Sequence, residues 1–122
     1  MRYAAIVLLI LQAACSTEAV QLSAPMTTVD GDVVYTVTKN VTIEAPRARP
    51  TVIRAGTTWR QIGTIEQGNV FDTSDQVVIV NSFNVEEAAI VTNNQMVVGY
   101  YLKISGAFVE VDPMPIILEP TE

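Results

Sequence analysis

The chain has 122 residues, 49% hydrophobic and 16% charged, enough for one domain with its own core and too few for two. Thirteen acidic residues against seven basic ones give a formal charge of −6; such a chain lacks the broad basic face that phosphate-dominated binding requires, which excludes nucleic acid as a partner. Histidine is absent, which removes Ser-His and Cys-His nucleophile systems and the commonest zinc ligand.

The opening MRYAAIVLLILQAACS has the three parts of an export signal: the positive Arg2, an apolar run from Ala4 to Leu11, and the small pair Ala13-Ala14. Eight residues rise only about 12 Å as a helix, far short of the ~30 Å hydrocarbon core, so the segment is a removable leader and not a span. Removing it with Arg2 leaves six basic residues against thirteen acidic ones. The lone cysteine, Cys15, follows the small pair directly, and LQAAC resembles the lipobox of bacterial lipoproteins, with Gln12 standing where that family favours the Leu that this chain carries at Leu11. The resemblance implies a Cys15 that is lipid-modified and heads the mature chain, and Ser16 after it implies outer-membrane retention. The alternative is a plain secretory signal cut near Ala14 or Ser16, giving a secreted or periplasmic protein. Residues 1–14 thus read as signal, 15–28 as a flexible tether of small polar residues, 29–112 as a β domain and 113–122 as an extended proline-containing tail.

Along the domain, Asp30-Gly31 is a hairpin signal, followed by a single strand, VVYTVTKNVTI. Its Val33, Tyr35, Val37, Val41 and Ile43 share one face, with Lys39 as the one misfit. Pro46 and Pro50 bracket Arg47 and Arg49 in an extended connector. Thr51 to Arg54 and Thr58 to Ile65 read as strands around Ala55-Gly56, with Trp59 and Ile62 as anchors and a bulge at Gly63. After a turn at Glu66-Gln67-Gly68-Asn69, a short Val70-Phe71 strand and a turn over Asp72 to Asp75, the unbroken VVIV of Val77 to Val80 suggests a strand covered on both faces. The central feature is a hairpin within Val85 to Lys103, with arms Ala88 to Val91 and Met96 to Leu102 around a tip at Asn93-Asn94. A helix over Val85 to Val91 is the competing reading, because Glu86 to Ala89 are tolerable helix formers. Ser105-Gly106 turns into Ala107 to Val111. The pattern predicts an all-β fold, a small barrel or sandwich of seven to eight short antiparallel strands.

No motif implies a cofactor or metal. Asp72 and Asp75, Asp30 and Asp32, and Glu86 and Glu87 are paired carboxylates, but the two Asp pairs lie in turn positions, where Asp bonds its own backbone. GTIEQGNV lacks the Lys-Ser/Thr ending of a phosphate loop. Arg47, Arg49, Arg54 and Arg60 form a local positive stretch, since no acid lies between Glu44 and Glu66, and this stretch is a candidate for a carboxylate-rich partner or an anionic surface. Trp59 and Tyr101 are further candidate contacts, because adjacent Tyr100 and Tyr101 on a strand face opposite ways and one should be exposed. In the tail PMPIILEP, Met114, Ile116 and Leu118 would face one way and Ile117 the other, so Ile116 and Leu118 serve either a partner sheet or the domain itself.

The functional reading is a non-catalytic envelope lipoprotein. It would act as a structural or assembly component, held at the membrane by its lipid and presenting a β surface to a protein partner or to its own copies. One alternative is a binding module for cell-wall peptide or protein, since the run of short strands and WRQIGTIEQGNVF resemble bacterial SH3-like domains. Another is an exclusion lipoprotein that blocks a receptor.

Overall fold

The computed structural model describes residues 21–44, 49–81 and 85–121. Cys15 with the leader, and Arg47, lie outside the described residues. The chain is all-β. Its twelve strands are β1 (Gln21–Ser23), β2 (Thr27–Thr28), β3 (Val34–Val37), β4 (Val41–Ile43), β5 (Thr51–Ile53), β6 (Thr58–Ile65), β7 (Gly68–Asp72), β8 (Ile79–Asn81), β9 (Val85–Asn93), β10 (Met96–Leu102), β11 (Ala107–Pro115) and β12 (Leu118–Pro120). One large sheet runs β1-β11-β10-β9-β7-β6-β3-β12, with β2 also on β6 and β8 also on β9, while β4 and β5 form a separate pair. The large sheet does not close into a barrel. The β4–β5 pair packs over it through Val41, Ile43 and Ile53, which makes the fold sandwich-like.

The sheet is organised around the β9–β10 hairpin, whose two faces are both buried. Ala88, Ile90, Tyr100 and Leu102 enter the main core with Trp59, Phe71, Val78 and Ile116. Ala89, Val91 and Tyr101 enter a second cluster with Ala24, Ile65, Val70 and Phe108. Glu86 to Ala89 are therefore strand and not helix: pairing along both edges of β9 outweighs the few tenths of a kcal/mol of helix propensity they carry. The tip is one residue later than predicted. Asn93 pairs with Met96, so the two-residue turn is Asn94-Gln95, at φ 53° and 63°, as a type I′ turn requires. Tertiary contacts select this register: Asn93 Nδ2 donates to the Gln67 carbonyl at 3.2 Å, and the Gln95 carbonyl accepts Ile116 N–H at 3.0 Å.

Several segments depart from the sequence reading. VVYTVTKNVTI is two strands, and Lys39 is a misfit because the chain bends there and passes from the large sheet to the small one. Asp30-Gly31 makes no hairpin, since β2 and β3 lie end to end along β6, and a Cβ on Gly31 would sit 2.7 Å from the Gln61 carbonyl oxygen. VVIV is covered on one face only, with Val78 and Val80 inside and Val77 and Ile79 outside. Residues 21–28, read as tether, are structured: β1 pairs with β11, β2 pairs with β6, Ala24 N–H donates to the Gly106 carbonyl, and Ala24 and Met26 pack on the second cluster. Twelve strands replace seven or eight because this stretch, the split strand and the tail all add pairing segments.

Other readings hold. The turn at Ala55-Gly56 is present, with Gly56 at φ 89°, but it hands the chain from the small sheet to the large one instead of joining a paired hairpin. Pairing passes from Gln61–Phe71 to Gly63–Val70, which leaves Ile62 as the extra residue of the bulge. Of the two readings left open for the tail, the structure has it docked on its own domain and not free for a partner sheet: β12 pairs with β3, Ile116 is buried, and Ile117 faces out.

Because Asn94 carries the first left-handed φ of the tip, Asn94→Val should lower stability by about 1–2 kcal/mol, while Asn94→Gly should stay within a few tenths of wild type. Urea denaturation with an unchanged slope checks both.

Candidate functional site

The structure turns most of the aromatic and apolar candidates inward. Trp59 is 1% exposed and its Nε1–H donates to Thr57 Oγ1 at 2.9 Å. Tyr101 is buried in the second cluster and Tyr100 in the main core, so neither tyrosine is exposed, because both faces of the hairpin are covered. Ile116 is buried and Leu118 half-buried against the main core, so neither is offered to a partner sheet. Arg49, Arg54 and Arg60 are exposed. They do not converge on one ligand. The Arg54 guanidinium donates to the Asp75 carbonyl at 3.2 Å, while Arg60 stands opposite Asp72 on β6 beside an open groove of about 350 Å³ whose one aromatic is the buried Trp59.

A different surface gathers residues of one kind. Antiparallel pairing sets Ile79 opposite Glu87 and Asn81 opposite Val85, and directly opposed residues share a face. Val78 and Val80 are buried, so the segment entering β8 leaves Val77, and β8 leaves Ile79, outward with Val85 and Glu87. Val77 is 66% exposed, Ile79 48% and Val85 66%. Across β9, Lys103 N–H donates to the Glu87 carbonyl, so the β10–β11 turn abuts this face, and Ile104 at that turn is 86% exposed.

Charged groups hold this surface in place. Lys103 Nζ donates to Glu87 Oε1 at 2.7 Å and to both Asp72 carboxylate oxygens at 3.0 and 3.2 Å. Burial works against the Lys103 charge, but its bonds to Glu87 and Asp72 prevail and raise its pKa above the ordinary lysine value. The Glu86 carboxylate accepts Ser105 N–H at 3.0 Å and the Ser105 hydroxyl, and that hydroxyl is the main reason its pKa is lowered, against the opposing effect of burial. The Glu86–Ser105 clamp therefore fixes the turn that carries Ile104.

The loop leading into β8 is pinned in a similar way. Asp75 Oδ2 accepts both Thr58 N–H and the Thr58 hydroxyl at 2.6 Å. The Gln76 amide donates to the Val52 carbonyl and accepts Arg54 N–H, both at 3.0 Å, so it occupies the edge of β5 much as a neighbouring strand would. Of the paired Asp residues singled out in the sequence, Asp72 and Asp75 are thus committed to ion pairing and loop structure. Among the described residues no three acidic side chains converge at metal-binding distance. Comparison with protein-family models, characterised proteins and solved structures gives no match.

Sequence reasoning missed Val77, Ile79, Val85 and Ile104. An unbroken apolar run does not reveal that its second face is uncovered, although a β-branched residue in the turn LKISGA was a visible signal at Ile104.

Hydrogen bonds from Thr58 hold the Asp75 pKa below the ordinary carboxylate range. A depressed folded-state pKa stabilises above the unfolded value, near about 4, and that contribution is lost as pH falls through the lower folded value. Asp75→Asn should therefore be less stable than wild type at neutral pH, with the difference shrinking below about pH 4. Thermal melts at stepped pH would show it, and a difference that does not change with pH counts against Asp75 as the titrating group.

Proposed function

We propose that this protein is a non-catalytic assembly component of a bacterial envelope, anchored by a lipid on Cys15, that engages a protein partner of mixed apolar and basic character through the β8–β9 face. The carrying observation is the exposure of Val77, Ile79 and Val85 beside Glu87 of the Lys103 ion pairs, with Ile104 exposed on the adjoining β10–β11 turn. An exposed apolar cluster rimmed by polar residues is the usual mark of a protein contact. In the ion-paired centre Asp72 and Glu87 outnumber Lys103, so that centre carries a net negative charge. That sign favours a partner carrying Lys or Arg among apolar residues and disfavours an anionic lipid surface.

The anchor follows from the lipobox-like LQAAC. Gln21, the first residue of β1, lies six positions after Cys15, a reach of at most about 22 Å. The domain would then work close to the membrane.

Photo-crosslinking residues placed at Val77, Ile79 and Ile104, with one at Lys39 as control, test the surface in living cells. Adducts should form at the three patch positions and not at the control, map to a stretch of partner sequence with Lys or Arg beside apolar residues, and weaken as salt is raised. Adducts to lipid only, or equal yields at Lys39, would overturn the reading. The anchor is tested separately by mass spectrometry of the N-terminal peptide, which should begin at a diacylglyceryl-modified Cys15. A chain starting at Thr17 or later removes the anchor and leaves the docking surface standing.

A further inference from the structure

We infer that a cleft beside the hairpin tip, made by different elements from the docking face, is a binding site for a neutral saccharide. The cleft has a volume of about 460 Å³ and lies between the β9–β10 turn, β7, β3 and the returning tail. This is within the usual size range of small-molecule sites. Its apolar lining is Tyr35, Phe71 and Ile116 to Leu118, with the Tyr35 and Phe71 rings edge to face at 5.6 Å and 86°. Its polar lining is Asn69, Thr92, Asn94 and Gln95. No charged side chain lines it, although the chain as a whole is acidic.

That combination selects the ligand class. Carboxamides and a hydroxyl each donate and accept hydrogen bonds, which matches a ligand dense in hydroxyl and acetamido groups. Aromatic and branched aliphatic side chains suit the C–H face of a sugar ring. Phosphates and carboxylates would find no cation here. A lipid chain would leave the amides unpaired. β3, flanked by β6 and β12, offers an added peptide strand no free edge, which leaves only the outer edge of β12, and the tetrapeptide arm of the test covers that case.

Two observations show that the amides are available. Asn69 Oδ1 accepts Gln61 Nε2–H at 3.2 Å, which leaves the Asn69 N–H groups without a partner among the described residues; the Asn94 and Gln95 side chains form no hydrogen bond there. Gln95 also sits at φ 63°, a conformation that Gly or Asn adopts at less cost. A strained backbone that places a long uncommitted amide on a cleft points to a role for that amide.

The test is amide-shift titration of the 15N-labelled full chain with chitotetraose, maltotetraose and an uncharged blocked Ala-Gly tetrapeptide. Saturable shifts confined to Asn69, Thr92, Asn94, Gln95 and Ile116 to Leu118 on adding sugar support the site. Binding of chitotetraose alone assigns acetamido recognition, and binding of both sugars assigns hydroxyl recognition. Asn69→Ala and Gln95→Gly should each weaken sugar binding about fivefold. Gln95→Gly relieves the backbone strain, so its melting temperature should be at least that of wild type, which separates lost binding from lost folding. The inference is overturned by no saturable shift up to about 10 mM sugar, by binding of the tetrapeptide in place of the sugars, or by unchanged affinity in both variants.

Discussion

Burial of the β9–β10 hairpin on both faces is the constraint on which the rest of the structure depends. A strand pair with Ala88 and Ile90 on one side and Ala89 and Val91 on the other cannot leave either side in water. At roughly 25 cal/mol per Å² of apolar area, two uncovered faces would cost more than the few kcal/mol by which a small domain is stable. The β4–β5 pair and the inward face of β8 cover one side, and the stretch from Gln21 to Thr28 covers the other.

The second cover needs a close approach, and two glycines allow it. A Cβ on Gly63 would collide with the Met26 side chain, and one on Gly99 would collide with the Phe108 ring. Met26 and Phe108 therefore lie directly on backbone, filling the space that side chains of β6 and β10 would otherwise take. Gly99 also adjoins the bulge at Val98, where Val111, Asp112 and Pro113 stand opposite a single residue. This irregularity accommodates Pro113, which has no N–H to give to a ladder, and takes β11 past the small sheet, where Asp112 N–H donates to the Glu44 carbonyl.

The polar groups hold loops and leave apolar residues outside. Glu86, Asp75, Gln76 and the Lys103 triad tie the segments around β8 to the body of the sheet. Val77, Ile79, Val85 and Ile104 are consequently displayed on a framework already ordered, which would lower the entropic cost of the docking proposed for them. The opposite arrangement holds at the hairpin tip, where Asn93 and Met96 pair through the backbone and the Asn94 and Gln95 side chains form no hydrogen bond among the described residues.

The amino-acid sequence by itself determined the local features: an all-β chain, the hairpin within Val85 to Lys103, the turn at Ala55-Gly56, the bulge at Gly63 and the inward and outward alternation of the tail. Each of these depends on the φ/ψ preferences of a few neighbouring residues or on a two-residue period, and both can be read along the chain. Only the tertiary structure decided which strands pair, which faces are covered and where the tip falls. VVIV looks the same whether one or two layers cover it, and residues 21–28 look like a tether until their partners, β11 and β6, are known. The tip at Asn94-Gln95 was set by Gln67 and Ile116, residues 26 and 21 positions away from those they bond. Pairing and burial act between segments remote in sequence, and a one-residue slip reverses every face, so the exposed apolar residues beside β8 and the cleft exist only once the sheet has assembled.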